Sequence, residues 1–399
     1  MNTLLSALFR ALRSHRWLRL LACAFLFTSV GNGLTQVMVF GLLLDWHAPA
    51  SLLTLAYLFA TLPGFLGSLV GEKLCMRFSP IRLLILTEWL GLLALLFPLL
   101  GIQFHSMVAL LAVQSTEAFL AGMSWPALTL LFRQGLSEAE LPAATCLETA
   151  IFASQVLLGT GLGMVLFHHL PALALLGIDA LTFIGSLAML ILAGSALPSL
   201  APEQAAETDR PMAVRWQALA PRQKRSLLLL PVLAAVGSPA MALLPALAQH
   251  IEPDDAAGLA LPLLFARSMG QLCGPLLLNR ESLSRYAGQN RLLLTCLGLF
   301  LLAYGTIPLL SVTLAVVFIA HLASNIVFAA GTFSLLSSFQ ASQVSSASGK
   351  AWRWQTASAS LFTCITALVA DVLGPLQALY GVSGCALLMV VGILTRYCK

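Results

Sequence analysis

Seven ionisable side chains fall inside long apolar stretches of this chain: Glu88, Glu117, Glu148, Asp179, Arg267, His321 and Asp371. In a bilayer each costs about 2.5 to 3.5 kcal/mol near the centre, so each needs a partner or a task. Glu117 ends the polar run Gln114-Ser115-Thr116-Glu117, and His321 is followed by Ser324 and Asn325. A carboxylate and an imidazole at that depth are groups that take up and release protons, and Asp371 joins them as a third candidate carrier. Arg267 keeps its charge, so it must meet Asp371, Glu117, backbone carbonyls, water or a bound anion. Asn32, Thr35 and Gln36 add a neutral polar face. Asn32, Gln36, Glu117, Arg267, His321 and Asn325 are therefore the candidate solute-binding set, and Glu117, His321 and Asp371 the candidate proton-carrying set. The alternative for each is an interhelical hydrogen bond that only holds a bundle together. Glu88 and Glu148 lie about one turn from one surface, within reach of Arg82, Lys73 and Arg133, which reads as structural ion pairing. Asp179 reads as a packing or capping acid.

The elements that must position these groups are apolar stretches long enough to cross a hydrocarbon core, which takes about 20 residues. Twelve are present, at 18–44, 52–70, 83–100, 107–132, 143–167, 172–194, 227–247, 259–278, 292–310, 312–336, 355–375 and 379–394. All but one of the 21 Lys and Arg residues fall at the chain ends or in every second gap. By the positive-inside rule that pattern fixes a polytopic chain with both termini cytoplasmic. The exception is Arg267. Asp45, Glu252, Asp254 and Asp255 occupy the outer gaps. A charged content of 9% and a mean hydropathy of +0.91 agree with this assignment. The net charge of +5 is explained by its distribution, so nucleic acid is not an expected partner.

Catalytic patterns are absent. There is no phosphate-cradling G-x-x-x-x-G-K and no H-E-x-x-H. His168-His169 is an adjacent pair that cannot share a helix face. The eight cysteines avoid the outer loops and have no C-x-x-C spacing, so neither a disulfide framework nor a metal site is expected. No cofactor is implied, and the chain does not read as an enzyme.

The one long polar break, 195–226, contains Pro198, Pro202, Pro211 and Pro221 and reads as a cytoplasmic linker without a fold of its own. It separates an N-terminal six-helix half, 1–194, from a C-terminal six-helix half, 227–399. Corresponding inner loops end alike, in Arg82-Leu83-Leu84 and Arg291-Leu292-Leu293. A parallel repeat about an axis along the membrane normal follows, with a site expected between the halves. The opening segment, MNTLLSALFRALRSHRWLRL, is a basic amphipathic lead-in.

The stretch 119–193 contains a small-residue turn with Pro126, then Glu-Leu-Pro-Ala-Ala at 140–144, a glycine-rich fifth helix with Gly159, Gly161 and Gly163, and Asp179-Ala180-Leu181-Thr182-Phe183 opening the sixth. In these residues the chain resembles the major facilitator superfamily, within the branch of the bacterial enterobactin exporter and macrolide efflux proteins. The resemblance implies an all-α integral membrane fold of twelve helices in two pseudo-symmetric halves. It also implies a gating loop after the second helix, carried here by Gly71, Glu72, Lys73 and Arg77, with Glu72-Lys73 where the family has Asp-Arg.

The expectation is a secondary active transporter in a bacterial cytoplasmic membrane, working as a monomer by alternating access. Proton-driven export of a siderophore is the first reading. Macrolide or multidrug efflux, import of a siderophore or metabolite, and a non-transporting scaffold or sensor are the alternatives.

Overall fold

The computed structural model describes residues 4–46, 58–167, 169–197, 212–251, 256–288, 294–295, 297–299, 301–302 and 309–396. Among these the elements are helical: α1 Leu4–Ser14, α2 Arg16–Asp45, α3 Pro63–Cys75, α4 Pro80–Ala94, α5 Leu96–Phe104, α6 Met107–Gly135, α7 Leu141–Ser154, a π-helical turn Gln155–Thr160, α8 Gly161–Phe167 and α9 Ala172–Ala196. A 3₁₀ turn at Trp216–Ala218 precedes α10 Pro221–Ile251, α11 Ala256–Leu276, α12 Arg280–Gly288, α13 Leu310–Ser338, α14 Ala341–Leu373 and α15 Pro375–Arg396. Among the described residues eight helical stretches are long and apolar enough to cross a bilayer, and the chain is a multi-pass membrane protein by that criterion. The ninth expected span, 292–310, and the start of the second, 52–57, lie largely outside the described residues.

Local chemistry sets several boundaries. Pro63, Pro80 and Pro375 each open a helix, where the missing N–H costs nothing. Ser106 caps α6 by accepting a hydrogen bond from the Ala109 N–H. His105, at φ 51°, ends α5 in the left-handed region. Gly374, at φ 90°, turns the chain between α14 and α15, a conformation glycine adopts without strain.

The eleventh expected span begins earlier than its hydropathy indicates, at Ala341 rather than residue 355. Its first turns read ASQVSSASGKAWRW, too polar to register as a span. The residues there are small, and the hydroxyls of Ser346 and Ser348 bond neighbouring helices, so Lys350 and Arg353 stand on a helix rather than in a loop. The break at 195–226 also carries local order near its end. Met212 N–H donates to Ser342 O at 2.7 Å, and Lys224 Nζ lies 5.7 Å from the Trp216 ring centre. Helix α10 begins at Pro221.

The chain forms two compact units: Leu8–Ala213 with Gln340–Arg353, and Met1–Ala7 with Val214–Phe339 and Trp354–Lys399. The first packs Met38 and Val39 of α2 against Leu110 and Val113 of α6 and Leu175 and Phe183 of α9. In the second, Ala240 of α10, Leu263 of α11, Val317 and Ala320 of α13 and Leu379 of α15 form one cluster.

Lipid is as apolar as leucine, so helices associate in it through close backbone approach and polar contacts. Both units do this in the same way. A Cβ added at Gly67 or Gly71 of α3 would overlap the backbone oxygens of Phe119 and Met123 in α6. One added at Gly270 or Gly274 of α11 would overlap those of Phe318 and Leu322 in α13. The second and fourth expected spans of each half thus meet along a G-x-x-x-G seam.

Candidate functional site: a carboxylate cavity in the N-terminal half

Helices α2, α4, α6, α7 and α9 of the first unit, with the π-helical turn, line a cavity of about 160 Å³. Thr28, Ser29 and Asn32 line it from α2, Thr87 and Glu88 from α4, Glu117 and Ser124 from α6, and Gln155 from the turn. Phe25, Leu120 and Phe183 supply apolar walls. A π-turn widens a helix by one residue, and such turns recur at functional sites. Here it sits where Gly159 presses on the Ser29 and Val30 carbonyls of α2, and Gln155 faces the space.

Glu88 is buried and accepts a hydrogen bond from Thr28 Oγ1 at 2.9 Å. That differs from the expected pairing with Arg82, Lys73 or Arg133, because α4 turns the carboxylate toward α2 and the cavity. Of those cations, Arg133 instead reaches Glu138 at 3.3 Å. Glu117 is half-buried, and its Oε1 is enclosed without a hydrogen-bond partner. The Oδ1 of Asn32 is likewise enclosed and unbonded. Asp179, fully buried on α9, accepts from Thr35 and, at 3.1 Å, from Thr182 Oγ1. It lies within electrostatic reach of both Glu88 and Glu117. Among the described residues no ion pair is drawn to any of the three acids. The polar face expected on α2 therefore divides: Asn32 faces the cavity, Thr35 holds Asp179, and Gln36 is half-buried beside them.

The glutamate expected in the gating loop is engaged from an unexpected side. Glu72 Oε2 meets Arg353 Nη1 at 2.7 Å, with side-chain exposures of only 15% and 9%, so the pair is largely screened from water. Ser346 donates to the other oxygen. Thr129 Oγ1 donates to Ser348 Oγ at 2.7 Å, and Trp125 and Trp352 lie with ring centres 5.0 Å apart. Lys73 and Arg77 are exposed. Sequence reasoning missed Arg353 as a site residue, although its place one turn after Gly349 was a usable signal.

In the second unit, His321 is fully buried on α13 within electrostatic reach of Arg267 on α11. Asn325 Nδ2 donates to the Gln271 carbonyl at 2.6 Å. These groups are packed along the glycine seam. Asp371 is exposed on α14, and the structure draws no ion pair between it and Arg267. Glu117 and Arg267 belong to different units.

No family model matches the chain. An uncharacterized 29.9 kDa protein in the crtE 3' region of Pseudescherichia vulneris is 62% identical over 74 residues, 18% of this chain. The chain spans 27% of that relative's length. Among solved structures, the human organic anion transporter MFSD10 superposes with a TM-score of 0.70 at 15% identity, covering 95% of this chain and 99% of that one. A bacterial homologue of the iron transporter ferroportin, in an outward-facing state, gives 0.68 at 15%, covering 95% and 98%. The E. coli fucose:proton symporter gives 0.67 at 14%, covering 96% and 98%. With helices at these lengths, a shared seam in each half and these likenesses over nearly the whole chain, the protein has the major facilitator fold.

Proposed function

We propose that this protein is a proton-coupled secondary transporter of a small organic solute, working by alternating access in a bacterial cytoplasmic membrane with both termini inside. The observation that carries the reading is the cavity holding Glu88 and Glu117, with Asp179 in electrostatic reach of both and, among the described residues, no cation paired to any of them. Like-charged carboxylates packed in a low-dielectric interior do not all ionise together, so the group exchanges protons as its surroundings change. Solved transporters of this fold include a fucose:proton symporter and an organic anion transporter, which supports gradient-driven movement of a polar solute.

The largely buried Glu72–Arg353 pair acts as the gate in this reading. It ties the start of α14 to α3, and the rest of α14 continues into the other unit. The substrate and direction follow the sequence resemblance: export of a siderophore, with Arg267 as a solute-binding group.

The test is reconstitution in liposomes with an imposed proton gradient, together with a deletion strain assayed for siderophore in medium and cytosol. Glu117→Gln abolishes gradient-driven transport while the protein stays folded. Transport that keeps its pH dependence removes Glu117 from the proton path, and an unchanged siderophore partition removes that substrate.

A further inference from the structure

Helix α1 is not used by the transport reading, and its surface is unusual. At 3.6 residues per turn, Leu4, Leu8 and Ala11 form one part of its apolar face and Leu5, Phe9 and Leu12 the adjoining part. The protein covers only the first. Leu4, Leu8 and Ala11 are 0%, 6% and 1% exposed, and the Leu4 N–H donates to Leu278 O at 2.8 Å. Leu5 and Phe9 are 37% and 64% exposed. Beside that uncovered strip Arg10 and Arg13 are exposed, and the row continues through exposed Arg16 and Arg19 at the start of α2. One residue, His15, separates α1 from α2, a candidate membrane span that begins at Arg16.

We propose that α1 is an interfacial helix that binds anionic phospholipid headgroups, with Phe9 and Leu5 seated among the acyl chains and Arg10, Arg13, Arg16 and Arg19 on the phosphates. A helix joined through one residue to the mouth of a span sits at headgroup depth. There an apolar strip edged by arginines matches a surface that is oily below and negative above. A zwitterionic surface satisfies the strip but not the row of cations, which is why the partner is an anionic lipid. The division between the two compact units falls within α1, after Ala7.

The experiment uses the full chain in nanodiscs of phosphatidylcholine, with and without phosphatidylglycerol, and reads hydrogen–deuterium exchange of the segment 4–14. Phosphatidylglycerol slows exchange there by about threefold or more, and raising salt to about 0.5 M, where charges are screened beyond about 4 Å, reverses the effect. Arg13→Gln/Arg16→Gln reduces the lipid response, and Phe9→Ser reduces protection in both lipids. Because arginine loss can disturb insertion, the salt titration of the unaltered chain is the second arm and needs no substitution. Equal exchange in the two lipids, or a lipid response indifferent to salt, overturns the proposal, as does protection that appears only with added acidic protein.

Discussion

The two halves share a seam and differ in what they place beside it. In the N-terminal half Gly67 and Gly71 bring α3 onto α6, and the helices around α6 leave a cavity lined by Glu88 and Glu117. In the C-terminal half Gly270 and Gly274 bring α11 onto α13, and the polar groups there, His321 and Asn325, are packed solid. Just past the seam the sequences part again. Gly71 is followed by Glu72, which meets Arg353, and Gly274 is followed by Pro275. A common frame thus carries a carboxylate-lined cavity in one half and closely packed polar groups in the other.

The first way to break this comparison is to disturb the seam itself. Gly71→Val and Gly274→Val each force a side chain into a backbone carbonyl of the facing helix, which cannot yield as a side chain can. Each is expected to cost about 3 kcal/mol or more, enough to leave little folded protein. Size-exclusion of detergent-solubilised protein reads the outcome. Similar losses at both positions support equivalent seams, and a tolerated Gly274→Val refutes the equivalence.

Next in size is the largely buried Glu72–Arg353 ion pair just past the N-terminal seam. Removing one partner of a pair this sheltered strands the other charge, and Arg353→Gln is expected to cost about 3 kcal/mol in thermal stability. Glu72→Gln/Arg353→Gln recovers part of that loss, since no charge is then stranded. A double-mutant cycle showing no coupling separates the two residues energetically and removes the gate.

The third prediction divides function from packing. Glu117→Gln leaves the melting temperature nearly unchanged and removes pH-dependent transport. His321→Ala opens a void in the seam and lowers stability by about 2 kcal/mol, with transport falling only as folded protein falls. If instead His321→Ala keeps full stability and loses the pH dependence, the division between the halves is reversed.

How far the sequence foretold this depends on what a residue's type alone can report. That the chain is helical and crosses a membrane several times was legible because apolar length is a property of composition along the chain. The polar surroundings of Glu117, which lines the cavity, were legible from its polar run. Glu88 was misread because its distance from the surface suggested loop cations, whereas the rotation of α4, which no linear pattern reports, aims it at Thr28. His321 and Glu117 looked equivalent by depth. The seams show otherwise: Phe119 in α6 corresponds to Phe318 in α13, which places His321 about one turn further along its helix. The G-x-x-x-G pairs that establish this register were visible in the sequence. The start of α14 was hidden because serines and alanines that pack closely between helices score as loop.

The smallest effect lies outside the membrane, at the N-terminal half's connection between α6 and α7. His15 Nε2 donates to Glu140 Oε1 at 2.8 Å, and Ser137 donates to Oε2 from its N–H and, at 2.7 Å, from its hydroxyl. Partial burial pushes the Glu140 carboxyl upward, but the hydrogen bonds from Ser137 and His15 outweigh it and hold the group below the usual carboxylate range. A carboxylate depressed on folding stabilises the fold above its unfolded value of about 4.3, and that contribution is lost as pH falls through the lower folded value. Glu140 is well hydrated, so the effect is expected to be below about 1 kcal/mol. Glu140→Gln should therefore melt slightly below the unaltered chain from pH 7 down to about 5, with the difference closing below about pH 4. Because the C-terminal half has no corresponding acid among the described residues, the same measurement on Glu281→Gln, an exposed acid in the first turn of α12, should show a smaller and flatter difference. A Glu140→Gln difference that widens on acidification would mean that the carboxyl is held in its protonated form, and that the tie between α6 and α7 is made by something other than its charge.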